Sequence, residues 1–222
     1  MSWAVIPEGK LAETITLTQP SKPIMVTTLN DDGSIHVAPF GWFMPVSWKP
    51  PIIGLALLDH PKKQHTLINI ENRQEFVVNL PSMDIAEKMI RSSYRIWPEG
   101  RNKFEALGLT AKPSVKIQTP GFAEARAQIE CKVREITMPG DHKLIVADVV
   151  GATYNSELYN QHLLLRLEKA MPMIHLEQWG RKDGQVHMFL TTLGVQIYEV
   201  PFDVEQPEMQ ELSGPLGEDL DL

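Results

Sequence analysis

Residues 24–40 read IMVTTLNDDGSIHVAPF, and this stretch decides the fold class. Ile24–Leu29 is short, apolar and rich in β-branched side chains, the composition of a half-buried strand. Asn30, Asp31, Asp32 and Gly33 form a turn cluster in which Gly33 is free to take positive φ. Ile35–Phe40 returns as a second strand, so the segment is a β-hairpin. The same signal recurs downstream. Ile52–Leu58 is a near-continuous apolar strand, and Phe76–Leu80 is another. After Pro113 the sequence predicts strands at Val115–Thr119, Ala123–Ile136 and Leu144–Thr153. The long one alternates, with Ala127, Ile129, Cys131 and Val133 on one face and Gln128, Glu130, Lys132 and Arg134 on the other. Met138, Pro139, Gly140 and Asp141 make the turn that follows it.

Helices are fewer and short. His65–Arg73 reads as helical, with Leu67, Ile68 and Ile70 apolar. Ser82 caps a helix over Met83–Ser92. Lys103–Leu107 forms a third, stopped by Gly108. Asn155 or Ser156 caps a fourth, running through about Arg166. Six or more strands with hairpin turns imply a mainly β fold, a closed or sandwiched antiparallel sheet with peripheral α-helices. The sequence holds neither the Rossmann glycine pattern nor a P-loop, so any bound nucleotide has to be held another way.

The chain has 222 residues, 43% of them apolar and 22% charged, enough for one β-rich domain with a real core. No window approaches the length of a membrane span, and the N-terminus lacks the pattern of a signal peptide. Cys131 is the single cysteine, which excludes an intrachain disulfide framework and cysteine-based zinc or iron–sulfur sites. These features predict a cytoplasmic protein. The net charge is −7, but residues 201–222 hold seven acids and no base, leaving 21 of each in the first 200 residues. A charge-balanced body offers no footprint for nucleic acid. The expected organisation is one domain over residues 1–200 and an acidic, extended or disordered tail over 201–222 that aids solubility.

Two segments carry chemistry. In the first, a strand ends in Ala38, Pro39, Phe40 and Gly41, then Trp42 and Phe43 lead through Pro45 to Ser47, Pro50 and Pro51. Pro39 and Pro45 cannot donate to a ladder, so this is not an inner strand throughout. An irregular edge with free N–H groups and flat apolar sides suits a planar, hydrogen-bonding ring; the plainer alternative is an aromatic cluster that closes a barrel. The second segment is Asp59, His60, Pro61, Lys62, Lys63, Gln64, His65 and Thr66. It places two lysines, two histidines and a hydroxyl at the start of a helix, where free N–H groups and the dipole favour an anion such as phosphate. Lys63 and Thr66 are the direct contacts expected there. The alternatives are a solvated lysine pair, or His60 and His65 on a metal, for which no third ligand is evident.

Taken in order, these motifs resemble the flavin reductase-like, FMN-binding split-barrel family, in particular its flavoredoxin-type members. The resemblance rests on Val26-Thr27-Thr28, Asp32-Gly33, Ala38 to Ser47, Pro50-Pro51, His65-Thr66, Glu71-Asn72 and Glu75 to Asn79. It continues through Lys103-Phe104, Gly108-Leu109-Thr110, Glu124-Ala125, Ile129 to Val133 and Gly140-Asp141-His142, covering roughly residues 20–175. Phe40 and Trp42 are bulkier than the family pattern at these positions. The resemblance implies a six-stranded antiparallel split barrel and a homodimer with FMN near the interface. The flavin ring would lie along Ala38, Pro39, Phe40, Gly41, Trp42 and Phe43, with Ser47 closing the motif. The phosphate would meet the loop of Asp59, His60, Lys63, His65 and Thr66, with Lys103 as a further phosphate candidate or simply a solvated helix lysine.

His142 of the Gly-Asp-His motif is the candidate catalytic residue, because its counterpart in similar reductases lies near the flavin face where nicotinamide docks. His36, His162, His175 and His187 are read as structural, Cys131 as a small core residue, and Arg181 as a surface arginine within possible reach of the cofactor. The implied activity is hydride transfer from NADH or NADPH to flavin N5, with electrons passing on to a partner oxygenase or another acceptor. This step needs no acid–base pair from the protein. The competing class is a non-enzymatic FMN carrier reduced by a partner protein. No metal, nucleic acid or membrane is expected to bind.

Overall fold

A computed structural model describes residues 2–93, 102–161, 163, 165–167 and 169–175, and the backbone of 176–182, 185–191 and 197–202. Its strands are β1 (Ile24–Leu29), β2 (Ile35–Phe40), β3 (Phe43–Ser47), β4 (Ile52–Leu58), β5 (Glu75–Leu80), β6 (Ala111–Lys112), β7 (Gly121–Phe122), β8 (Ala127–Thr137) and β9 (His142–Tyr154). Three more, β10 (Ile174–Lys182), β11 (Gln185–Thr191) and β12 (Ile197–Phe202), form a separate antiparallel meander that the sequence pattern did not reveal. The helices are α1 (His65–Arg73), α2 (Ala86–Ser92) and α3 (Lys103–Ala106). Among the described residues, no helix is long and apolar enough to cross a membrane.

The main sheet has the order β2-β1-β5-β8-β9-β4-β3, with antiparallel pairing throughout. Its two edges, β2 and β3, are consecutive in the chain, and the barrel is split between them. The sheet has seven strands where six were expected, because Phe43–Ser47 is a true strand paired with β4 from Phe43↔Leu55 onward. Pro39 and Pro45 sit on these two edge strands, where a missing N–H does least harm to the ladder.

Period-two alternation divides the core. Ile24, Val26, Leu55, Leu57, Phe76, Val78, Cys131 and Ile145 point inward, and α1 adds Leu67 and Ile70 to the same cluster. On the opposite face, Met25 and Val37 pack against Met89 and Ile90 of α2, Phe104 of α3, and Phe122. An extra residue in β8 between Val133 and Glu135 changes its parity, so Ile136 joins Val133 at the inner cluster.

Several local readings change. Val115–Thr119 is not a strand, because its N–H groups go to side chains instead of a ladder. Glu130 accepts from Val115 (2.7 Å) and Lys116 (2.6 Å), and Glu75 accepts from Gln118 (3.0 Å) and Thr119 (2.8 Å). Ser82 does not cap a helix: its buried hydroxyl has no partner among the described residues, and a 3-10 turn over Met83–Ile85 precedes α2. From Asn155 the chain turns without forming a helix among the described residues, and the Asn155 side chain accepts only the Glu157 N–H, at 3.0 Å. Gly33 and Gly108 take φ of 81° and 60°, as their turn and stop roles require. Of the acidic segment 201–222, only Pro201 and Phe202 are described, and they end β12. His162 and the side chains of His187 and Arg181 lie outside the described residues.

Candidate functional site

The start of α1 is built from main-chain contacts. The Gln64 carbonyl accepts the N–H groups of Leu67 (3.0 Å) and Ile68 (3.2 Å), while its side chain takes the N–H of Leu58 at the end of β4. The helix is then pinned across the β1–β2 hairpin. Asn69 donates to Thr28 Oγ1 (2.9 Å) and Asn30 Oδ1 (2.8 Å), and Arg73 donates to the carbonyls of Leu29 and Asn30. His65 Nε2 lies 2.9 Å from Asn30 Oδ1. This docking fixes Thr66, a buried residue in the first turn, where the helix has free N–H groups.

Thr66 Oγ1 lies 3.0 Å from Nε2 of His36 on β2. The His36 ring stands 4.9 Å from that of His65. Lys103, at the first position of α3, lies near enough for its charge to act on the His36 ring. Its amine donates to the Ser92 carbonyl at 2.8 Å, and among the described residues no acid pairs with it. Part of the Lys103 stem is exposed, but its amine is desolvated, and this burial pulls its pKa down to about 7. Burial, then the charges of Lys103 and His65, push His36 down to about 2, so its ring is neutral. A desolvated amine that no acid neutralises among the described residues, acting electrostatically on a histidine at the start of a helix, is the kind of arrangement that favours an anion. His36, read from the sequence as structural, stands against Thr66 at the start of α1. The usable signal was its hairpin register, which pairs it with Thr28, a partner of Asn69 in α1.

The structure places Lys63 elsewhere. Its amine donates to Glu71 at 2.9 Å and lies 3.6 Å from Asp59. Lys143 of β9 also binds Glu71. The hydrogen bond to Glu71 holds the Lys63 pKa above its ordinary value. Burial opposes the Glu71 charge, but the hydrogen bonds from Lys143 and Lys63 outweigh it and hold that carboxyl low. Lys63 and Asp59 therefore form an ionic brace with Glu71 and Lys143 beside the loop, and the exposed His60 lies 4.0 Å from Asp59.

The aromatic segment also divides. Phe40 and Phe43 pack on the inner core, so the extra bulk of Phe40 is turned away from the surface. Trp42 is 39% exposed and stacks on His142, with centroids 4.4 Å apart and planes at 29°. His142 Nδ1 lies 2.7 Å from Asp141 Oδ1. The Asp141 carbonyl accepts the N–H groups of Asp59 (2.9 Å) and His60 (3.3 Å), which ties this turn to the loop before α1. Ala38, Pro39 and Gly41 supply backbone around the open edge of β2, and half-buried Ser47 ends β3. Cys131 is fully buried and its thiol pKa is pushed up, chiefly by burial, as suits a core residue. Among the described residues, no group of three or more His, Cys, Asp or Glu could hold a metal ion.

Residues 18–174 match the flavin reductase like domain family. The chain belongs to that family. The flavin reductase like segment contains both clusters, from His36 to His142. An uncharacterized protein of Methanothermobacter thermautotrophicus is 30% identical over 194 residues, covering 85% of this chain and 87% of its own length. The fold is similar to that of nitrilotriacetate monooxygenase component B from Bacillus cereus, with a TM-score of 0.73 at 21% identity over 90% of this chain and 100% of that one. Flavoredoxin of Desulfovibrio vulgaris gives 0.66 at 17% identity over 94% and 100%.

Proposed function

We propose that this chain is an FMN-binding oxidoreductase that accepts hydride from NADH or NADPH. The observations that carry the reading are the Lys103 amine, which no acid pairs with among the described residues, and its charge acting on His36, whose ring meets Thr66 in the first turn of α1. A phosphate supplies the missing negative charge and takes hydrogen bonds from an amine, a hydroxyl and helix N–H groups. Trp42 and His142 offer the other requirement of a flavin, a flat aromatic neighbourhood with a polar tip. The residues present therefore fit FMN, with Lys103, Thr66 and His36 at the phosphate and the β2 edge, Trp42 and His142 toward the ring. Bound there, the flavin supplies the acceptor for hydride from a reduced nicotinamide. The protein holds both partners in place and needs no proton relay for that step.

The direct test is spectroscopic. The FMN-loaded protein is expected to show bound-flavin bands that bleach when NADH or NADPH is added without air. Bands that persist through both additions would refute the oxidoreductase reading in favour of an electron carrier.

The same proposal includes a homodimer. The outer face of β3, β4 and β9 is apolar and uncovered, with Met44 and Val46 54% and 49% exposed. Gly54 lies beneath them, its side-chain position facing Val46, Met44 and Leu144. The patch adjoins Trp42 and ends on an unpaired sheet edge, which suits a second copy of the chain. A dimer is expected in sedimentation experiments, and Val46→Arg should weaken it by on the order of 100-fold, because a charge would be buried unpaired. A wild-type monomer at micromolar concentration, or an unweakened Val46→Arg dimer, would contradict this.

A further inference from the structure

The arm of residues 2–18 has no place in the core. Its Glu8–Thr18 portion is a 3-10 helix that buries none of its residues. Trp3, Val5, Leu11, Ile15 and Leu17 are all exposed, Trp3 at 93%. At three residues per turn, Leu11 and Leu17 fall on one face. A 3-10 run of this length is uncommon, and a short helix without a packed face is unstable in water. These side chains therefore belong against another surface. The arm leaves the body beside the split. The main chain of Ser21 exchanges hydrogen bonds with that of His175, each 2.9 Å, and Ile24 then pairs with Phe40, just before Trp42.

A second uncovered apolar surface starts at the same corner. Met44 and Val46 share the outer face of β3, between Trp42 and a Trp48 that is 88% exposed. A stable dimer buries about 800 Å² on each subunit, from roughly 20–30 residues. These four side chains fall short of that, and the arm brings five more. Charge does not oppose the match: the arm carries Glu8, Lys10 and Glu13, and the only charge over residues 42–49 is Lys49. We propose that the arm of one subunit crosses the split and covers the Met44, Val46 and Trp48 surface of a second copy, which returns its own arm in the same way. This rests on the homodimer reading and assigns the arm as the part of each chain that completes the interface.

The test has two readouts on the full chain. In sedimentation, Leu11→Ser combined with Leu17→Ser should weaken the dimer by on the order of 100-fold, the scale of two leucines left in water. Both side chains are exposed in the single chain, so the circular dichroism of the variant should match wild type. In a separate protein, Leu17 is replaced by the photoreactive benzoylphenylalanine and the sample is irradiated. A product of twice the chain mass is expected on a denaturing gel, with the attachment mapped by mass spectrometry to residues 42–51 of the second chain. A variant dimer as tight as wild type would overturn the exchanged arm. So would crosslinking within one chain, attachment outside that range, or no crosslink. Each of these results leaves the homodimer reading intact so long as wild type sediments as a dimer. A wild-type monomer at micromolar concentration would overturn the arm contact together with that reading.

Discussion

Replacing Lys103 with methionine is expected to weaken FMN binding by on the order of 10- to 100-fold, the scale of one lost charge-assisted hydrogen bond. Methionine keeps the length of the stem and removes only the amine. The same substitution should change the pH dependence. In the ligand-free protein the Lys103 pKa lies at about 7, so above pH 7 a phosphate must bring a proton onto the amine as it binds. Affinity should therefore fall as pH rises above 7, by up to about tenfold per unit, and Lys103→Met should flatten that fall. Stability of the ligand-free fold should move in the opposite direction. The folded pKa lies below the ordinary 10.5, so between pH 7 and 10.5 the unfolded chain binds more protons. The cost of burying the charge is then full below pH 7 and is relieved as pH rises through this window. Fluorescence titrations and urea unfolding at pH 6, 7.5 and 9 check both signs. A Lys103→Met protein with wild-type FMN affinity would remove Lys103 from the site.

The second large effect is on folding. Gly121→Ala should destabilise the protein by about 2–4 kcal/mol, by overpacking and by breaking buried hydrogen bonds. A Cβ on Gly121 would lie 2.6 Å from Asn79 Oδ1 and from the amide carbon of Gln128. Neither side chain is free to retreat. Asn79 donates to Met25 O and Thr27 Oγ1, both at 3.1 Å, and accepts the Phe122 N–H at 3.2 Å. Gln128 donates to Phe122 O at 2.6 Å. For a domain of this size, such a loss lowers the melting temperature by roughly 5–15 °C. A change of less than about 1 kcal/mol in chemical unfolding would show that the cluster yields, against the expected rigidity of a buried polar network.

These predictions separate what was legible in the sequence from what was not. The hairpin of Ile24–Leu29 and Ile35–Phe40, strand Ile52–Leu58 and helix His65–Arg73 were read with their observed ends, because turn chemistry and local periodicity set them. Thr66 and Lys103 were singled out by motif; the fold sets Thr66 against His36, on whose ring the Lys103 charge acts, and stacks Trp42 on His142. The failures are non-local. Lys63 stands near the helix start in the chain, but Glu71, eight residues on, and the Lys143 pairing from β9 decide where its amine goes. His36 looked like a strand histidine until α1 was docked against its hairpin. Val115–Thr119 has the composition of a strand, yet the carboxylates of Glu75 and Glu130, distant in sequence, take its N–H groups.

The central claim is that the Lys103, Thr66 and His36 cluster holds the phosphate of a flavin. Riboflavin has the same ring and lacks the phosphate, so paired titrations of FMN and riboflavin into the cofactor-free protein isolate that contribution. FMN should bind more tightly than riboflavin by on the order of 100-fold in wild type, with the ratio falling toward one in Lys103→Met. Equal affinities in wild type would contradict the account.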